Sequence, residues 1–150
     1  IAGRAIYEGT LDFKEAIKAW LVERGYQLKD FGTCDHQRVD YCDYGFRVAE
    51  AVARGDCKKG LVFCGTGIGI SVSANKVRGI RAAVCSEPYS AKLSREHNDT
   101  NILALGARVV GAELAVELVR DYLRAEFSGL ERHRRRLGKV ASFEDHFGQK

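Results

Sequence analysis

A chain of 150 residues with 45% hydrophobic and 29% charged residues has the profile of one folded domain, long enough to bury a core and too apolar for a disordered segment. The net charge of +4 has a single source: Arg132, Arg134, Arg135 and Arg136 are four of the 24 basic residues, and the other 20 balance 20 acidic ones. A local cluster of this kind, without aromatic platforms between the cations, argues against a nucleic-acid-binding face.

Short apolar runs ending in glycine or polar residues alternate with helix-like stretches along the chain. That rhythm predicts an α/β fold, a doubly wound three-layer α/β/α domain over residues 1–150 with a five-stranded parallel sheet, Rossmann-like, and a C-terminal helical extension. The first strand is expected over residues 1–6. Over 11–24, Phe13, Ala16, Ile17, Trp20 and Leu21 recur at helical spacing, and Gly25 closes that helix. Residues 26–31 return as the second strand. Asp40 or Asp43 caps a helix through Phe46, Val48, Ala49, Ala51 and Val52 that ends at Arg54-Gly55. Gly60-Leu61-Val62-Phe63 is a buried third strand, broken by the glycines that follow. A helix over 70–76, a strand over 80–84, a helix over 89–95 and a strand over 102–105 come next. Residues 112–127 form a long amphipathic helix, with Val116, Leu118, Val119, Tyr122 and Leu123 on its apolar side, and the basic segment 131–137 follows a break at Gly129.

The apolar runs are too short to span a bilayer and no charged-then-apolar leader opens the sequence, so no membrane partner and a cytoplasmic location are expected. Five cysteines, an odd set with no C-x-x-C pair, suit a reducing compartment rather than a disulfide framework. Cys34, His36 and Cys42 are too few for a zinc site without a second ligand pair. No metal or cofactor is expected.

The strongest local signal is Cys64-Gly65-Thr66-Gly67-Ile68-Gly69-Ile70-Ser71, with three glycines on alternate positions between a buried strand and a helix start. Glycines there let amide groups converge on a cavity, and the helix N-terminus favours an anion. The dinucleotide fingerprint fails because Ile70 occupies its third glycine position, and the P-loop fails for want of a Gly-Lys-Ser/Thr ending. Cys64 stands at the carboxyl end of its strand, where the following helix dipole favours a thiolate usable as base or nucleophile. In a sheet ordered 2-1-3-4-5, ligands collect at the switch point beside that strand. His97, in the polar run 94–99, can exchange protons near neutral pH. Arg132 and Arg136, four apart, fall on one face of a helix and suit a phosphate dianion, and Arg108 could join them.

These pieces resemble the ribose-5-phosphate isomerase B family, which includes the galactose-6-phosphate isomerase subunits. The likeness runs over residues 11–137 and is carried by Asp30-Phe31-Gly32-Thr33, Val39-Asp40-Tyr41-Cys42-Asp43-Tyr44, the 64–71 loop with Ala74-Asn75-Lys76-Val77, Gly79-Ile80-Arg81-Ala82-Ala83, the 93–99 run, Leu105-Gly106-Ala107-Arg108-Val109 and Arg132-His133 to Arg136. It implies a metal-free aldose–ketose isomerase, working through a cis-enediolate in a homodimer, or a tetramer, with active sites between subunits. By the same resemblance Cys64 is the base, Thr66 assists at the oxygens, and the amides of Gly65, Gly67, Ile68, Gly69 and Ser71 hold the enediolate charge. His97 helps open the sugar ring, Asn98 holds hydroxyls, Tyr44 lines the pocket, and Arg132 and Arg136 reach over from the partner chain to the phosphate.

The chain departs from the family after its first strand, where the Asp-His pair falls on Tyr7 and Glu8 and a glycine position holds Thr10. Glu8 is the candidate carboxylate acid/base in that place. Cys42 stands where a Pro is usual. The substrate implied is ribose 5-phosphate, converted to ribulose 5-phosphate. The alternatives are another four- to six-carbon sugar phosphate, or a phosphate-binding module without turnover.

Overall fold

The computed structural model of the chain describes residues 8–32 and 39–148. In order these form α1 (Glu8–Glu23), α2 (Tyr41–Ala53), β1 (Gly60–Cys64), α3 (Ile68–Ala74), β2 (Ala82–Val84), α4 (Pro88–Asn98), β3 (Ile102–Gly106), α5 (Ala112–Arg124) and α6 (Glu131–Phe147). The α/β class and the alternation of elements match the sequence reading. The expected first strand at 1–6, together with Cys34 and His36, lies outside the described residues.

Two expectations about the sheet are corrected. Among the described residues it has three strands, and residues 26–31, expected as the second strand, are irregular. A strand exists through its pairing partner, and none of the described strands pairs with that segment. The order is β1-β3-β2, all parallel, so the last strand lies between the other two instead of at the edge. Burial explains the choice. All five residues of β3 are buried, whereas β2 has only three residues and leaves Val84 40% exposed, as an edge strand does.

This order determines where the helices lie. The connection β1-α3-β2 passes over β3, and β2-α4-β3 comes back, so right-handed crossovers put α3 and α4 on opposite faces. Side chains of β1 alternate accordingly. Leu61 and Phe63 pack with Phe13, Ile17, Ala91, Leu118 and Tyr122 from α1, α4 and α5. Val62 and Cys64 pack with Tyr44, Val48, Ile70 and Ala74 from α2 and α3.

The helix ends follow local chemistry. Gly25 and Gly55 close α1 and α2 with φ of +78° and +80°, the left-handed conformation that glycine adopts without strain. Asp40 takes the N-cap position of α2, but its side chain makes no capping bond. α4 is capped by the Glu87 carboxylate, which accepts from the Tyr89 and Ser90 amides at 2.8 Å each, and it runs three residues beyond the predicted end, to Asn98. The basic segment 131–137 is the first half of α6. No helix of the described residues is long and apolar enough to cross a membrane.

Candidate active site

Cys64 ends β1 with only 5% of its surface exposed. Its Sγ accepts the Gly67 amide at 3.1 Å, a bond that becomes charge-assisted when the sulfur is ionised. The loop that carries this amide is pressed onto the end of β3. The amides of Ala107 and Arg108 donate to the carbonyls of Cys64 and Gly65 at 2.9 and 3.0 Å. Gly67 has φ of +80°, and a Cβ on it would stand 3.0 Å from the Leu105 carbonyl carbon, so only glycine lets the chain turn here.

The remaining cradle residues divide by role. Thr66 is exposed, and its Oγ1 accepts the Ile68 amide at 3.2 Å. The amides of Gly69 and Ile70 are the next donors of the first turn of α3, which a helix leaves without an internal carbonyl. Ser71 is buried, and its hydroxyl donates to the Ile68 carbonyl at 2.9 Å, so its side chain braces the helix. Arg108 lies across Gly65, its Cδ 3.6 Å from the point a Cβ would occupy.

Tyr44 is 6% exposed and belongs to the buried cluster around Cys64 and Ile70, with the Arg47 guanidinium 5.2 Å from its ring centre. The tyrosine that stands open is Tyr41, 45% exposed and crowded so closely over Gly69 that a Cβ there would meet its ring at 2.5 Å. The sequence reading gave Tyr41 no role of its own. The available signal was position: a helix leading into a parallel strand starts at the carboxyl end of the sheet, where ligands gather.

His97, Asn98, Arg132 and Arg136 lie elsewhere in the same chain. α4 runs back against the strands, and its last carbonyls are met by Arg81, just ahead of β2. They therefore sit at the amino end of the sheet. Four strand steps of about 3.3 Å put roughly 13 Å or more between that end and Cys64. The Ser128 amide donates to the Glu96 carbonyl at 2.9 Å, which brings the start of α6 alongside. Arg132 and Arg136 are exposed one turn apart on this helix. Arg108, expected to join them, belongs instead to the Cys64 end.

One further histidine belongs to the amino-end group. His133 is 3% exposed, stacks on His97 with ring centres 4.3 Å apart, and its Nδ1 is 2.7 Å from the Ser128 hydroxyl. Burial holds its imidazole below the ordinary value, and the charges of His97, Arg132 and Arg136 push the same way. Leu137, four residues on and half-buried, marks that side of α6 as inward-facing. Glu8 is the first residue of α1, and its side chain, with Tyr7, lies outside the described residues.

The profile of the Ribose/Galactose Isomerase family matches residues 7–140. Ribose-5-phosphate isomerase B of Escherichia coli is 53% identical over 131 residues, covering 87% of each chain. Among solved structures, ribose-5-phosphate isomerase B of Clostridium thermocellum superposes with a TM-score of 0.90 at 52% identity, covering 97% of this chain and 98% of that one. The enzyme of the same name from Mycoplasma genitalium, solved with bound ribulose 5-phosphate, superposes at 0.89 with 34% identity, covering 96% and 93%.

Proposed function

This chain belongs to the ribose/galactose isomerase family, and on that premise we propose that it is a cytoplasmic aldose–ketose isomerase interconverting ribose 5-phosphate and ribulose 5-phosphate through a cis-enediolate. The observation that carries the reading is the Cys64 sulfur, fixed by the Gly67 amide at the head of a glycine cradle. In the aldose direction Cys64 takes the C2 proton of the open-chain sugar. The electron pair passes into the C1–C2 bond and on to the carbonyl oxygen, giving an enediolate whose charge the amides of Gly69 and Ile70 face. Cys64 returns the proton to C1, and Thr66 shuttles the proton between the two oxygens. Tyr41, over Gly69, forms a wall for the sugar, and Glu8 is the carboxylate acid/base in place of the family's Asp-His pair.

The chain works as a homodimer with sites shared between copies. Ring opening by His97, hydroxyl binding by Asn98 and phosphate binding by Arg132 and Arg136 need these residues beside Cys64, and the sheet separates them within one chain. A second copy brings the ends together. Exposed apolar residues border both half-sites: Ile68, Val72 and Val109 are 58%, 53% and 58% exposed near the cradle. Along α6, Val140, Phe143 and Phe147 are 58%, 66% and 52% exposed at helical spacing, a stripe that suits burial against a partner.

The test is complementation. Cys64→Ala and the double variant Arg132→Ala/Arg136→Ala, each inactive alone, are unfolded, mixed and refolded. In shared sites random pairing restores about a quarter of wild-type activity, since half of the dimers are mixed and each has one intact site of two. No recovery overturns the shared site. A panel of four-, five- and six-carbon aldose phosphates tests the substrate, with ribose 5-phosphate expected fastest. Phosphate-ester binding without turnover of any of them overturns the enzyme assignment.

A further inference from the structure

The amino-end half-site is held by a residue that does not face the sugar. Asp99 is the one non-glycine residue of the described chain with positive φ, at +42°, so the turn after Asn98 is held by its surroundings rather than by its own preference. Near the end of α4 the carbonyl of Ser94 is met by the Thr100 amide, that of Arg95 by the Asp99 amide and that of Glu96 by the Ser128 amide. The Asn98 carbonyl is met by a side chain, Nε of Arg81 at 2.9 Å. The same guanidinium donates through Nη2 to the Asp99 carbonyl at 2.8 Å and to its carboxylate at 3.3 Å.

Arg81 is itself fixed. Its amide donates to the Asn101 side-chain oxygen at 2.8 Å, and the Asn101 side-chain nitrogen donates to the Gly79 carbonyl at 2.8 Å. The turn just before it also grips α6. Arg78 pairs with Asp145, and the Gly79 amide donates to the Glu144 carboxylate at 3.1 Å. One short segment, 78–81, therefore ties down both α4, which ends in His97 and Asn98, and α6, which bears Arg132 and Arg136.

We infer that Arg81 is a positioning residue for the isomerase reaction: by clamping the carbonyls of Asn98 and Asp99 it sets the pose in which His97 and Asn98 are offered to the sugar bound at another copy's Cys64. The inference rests on the function proposed above. A planar fork suits the task because two carbonyls in fixed relation are held by one rigid group. An ammonium group cannot reproduce that geometry.

The experiment separates ring opening from proton transfer. Ribulose 5-phosphate has no furanose ring to open, so exchange of its C1 hydrogen with deuterium oxide uses the Cys64 end and bypasses His97. For Arg81→Gln and Arg81→Lys, kcat at saturating ribose 5-phosphate should fall about tenfold or more, while exchange at saturating ribulose 5-phosphate stays within about threefold of wild type. His97→Asn, measured beside them, should show the same split. If His97→Asn shows it and neither Arg81 variant does, positioning by Arg81 is overturned and the ring-opening role stands. If His97→Asn is unaffected in both assays, the ring-opening role fails, and the inference fails with it. Where Arg81→Gln loses both activities together, Arg81→Lys decides: an equal loss in both assays reduces Arg81 to a stability residue and overturns the inference.

Discussion

The peptide of Thr66 lies directly on the backbone of Gly106: a Cβ on Gly106 would stand 2.6 Å from the Thr66 carbonyl carbon. Gly106 pairs with Cys64 across the sheet, so the contact holds the cradle at a fixed height above the Cys64 sulfur. Gly106→Ala is therefore expected to displace the cradle as well as to strain the fold. Turnover should fall on the order of 100-fold, and the loss in stability should be about 1–3 kcal/mol. Steady-state kinetics together with denaturant melts check both, and a variant with unchanged kcat would contradict this role for the contact.

Removing the sulfur should leave binding largely intact. Cys64→Ala is expected to lower kcat by two or more orders of magnitude while ribose 5-phosphate still binds, because the proposed function gives the phosphate and hydroxyl contacts to other residues. Calorimetric titration with the sugar phosphate measures the binding. Retained full turnover would dismiss Cys64 as the base.

Asp30 supports α1 from outside the sheet. It pairs with Lys14, whose side chain is 4% exposed, at 2.8 Å and with Lys18 at 3.1 Å. Burial pulls the Asp30 carboxyl up, but the hydrogen bonds from Lys14, the Gly32 amide and Lys18 outweigh it and hold it below its ordinary value. A lowered carboxyl contributes stability above the unfolded value, about 4, and loses it as pH falls through the folded one. Asp30→Asn should cost about 1–3 kcal/mol at pH 7, since it leaves a buried ammonium without its carboxylate. The gap in Tm between variant and wild type should close on acidification below about pH 4. A gap independent of pH would show that the pair is not its source.

The cysteines should differ in reactivity. Burial and the neighbouring Glu87 charge push the Cys85 thiol up to about 11, against a lowering bond to Ser94. Iodoacetamide near neutral pH should therefore leave Cys85 unlabelled in the folded protein, while half-buried Cys42 and Cys57 react well before it. Peptide mass spectrometry after timed labelling reads the order, and early modification of Cys85 would contradict its burial.

The cradle could be read in the sequence because it is local: residues 64–71 are contiguous, and alternate glycines between strand and helix allow few other structures. The same holds for α1, where helical spacing and Gly25 mark both face and end. Sheet order was not legible in this way. β2 and β3 are both short apolar runs, and which of them lies inside depends on burial from both faces, a property of the assembled layers. Tyr41 and Tyr44 are three residues apart on one helix, and only packing shows that the second turns into the core while the first stays open. The separation of His97 from Cys64 was also hidden, because residues close to a strand in sequence can lie at either end of it.

That separation has a kinetic meaning. On the shared-site reading a lone chain holds a base with no grip on the substrate's charged end, so folding alone does not make it an enzyme. Below the dissociation constant of the pair, rate grows with the square of chain concentration, and above it linearly. Dilution then acts as an inhibitor, and the cellular abundance of the chain becomes a control on flux.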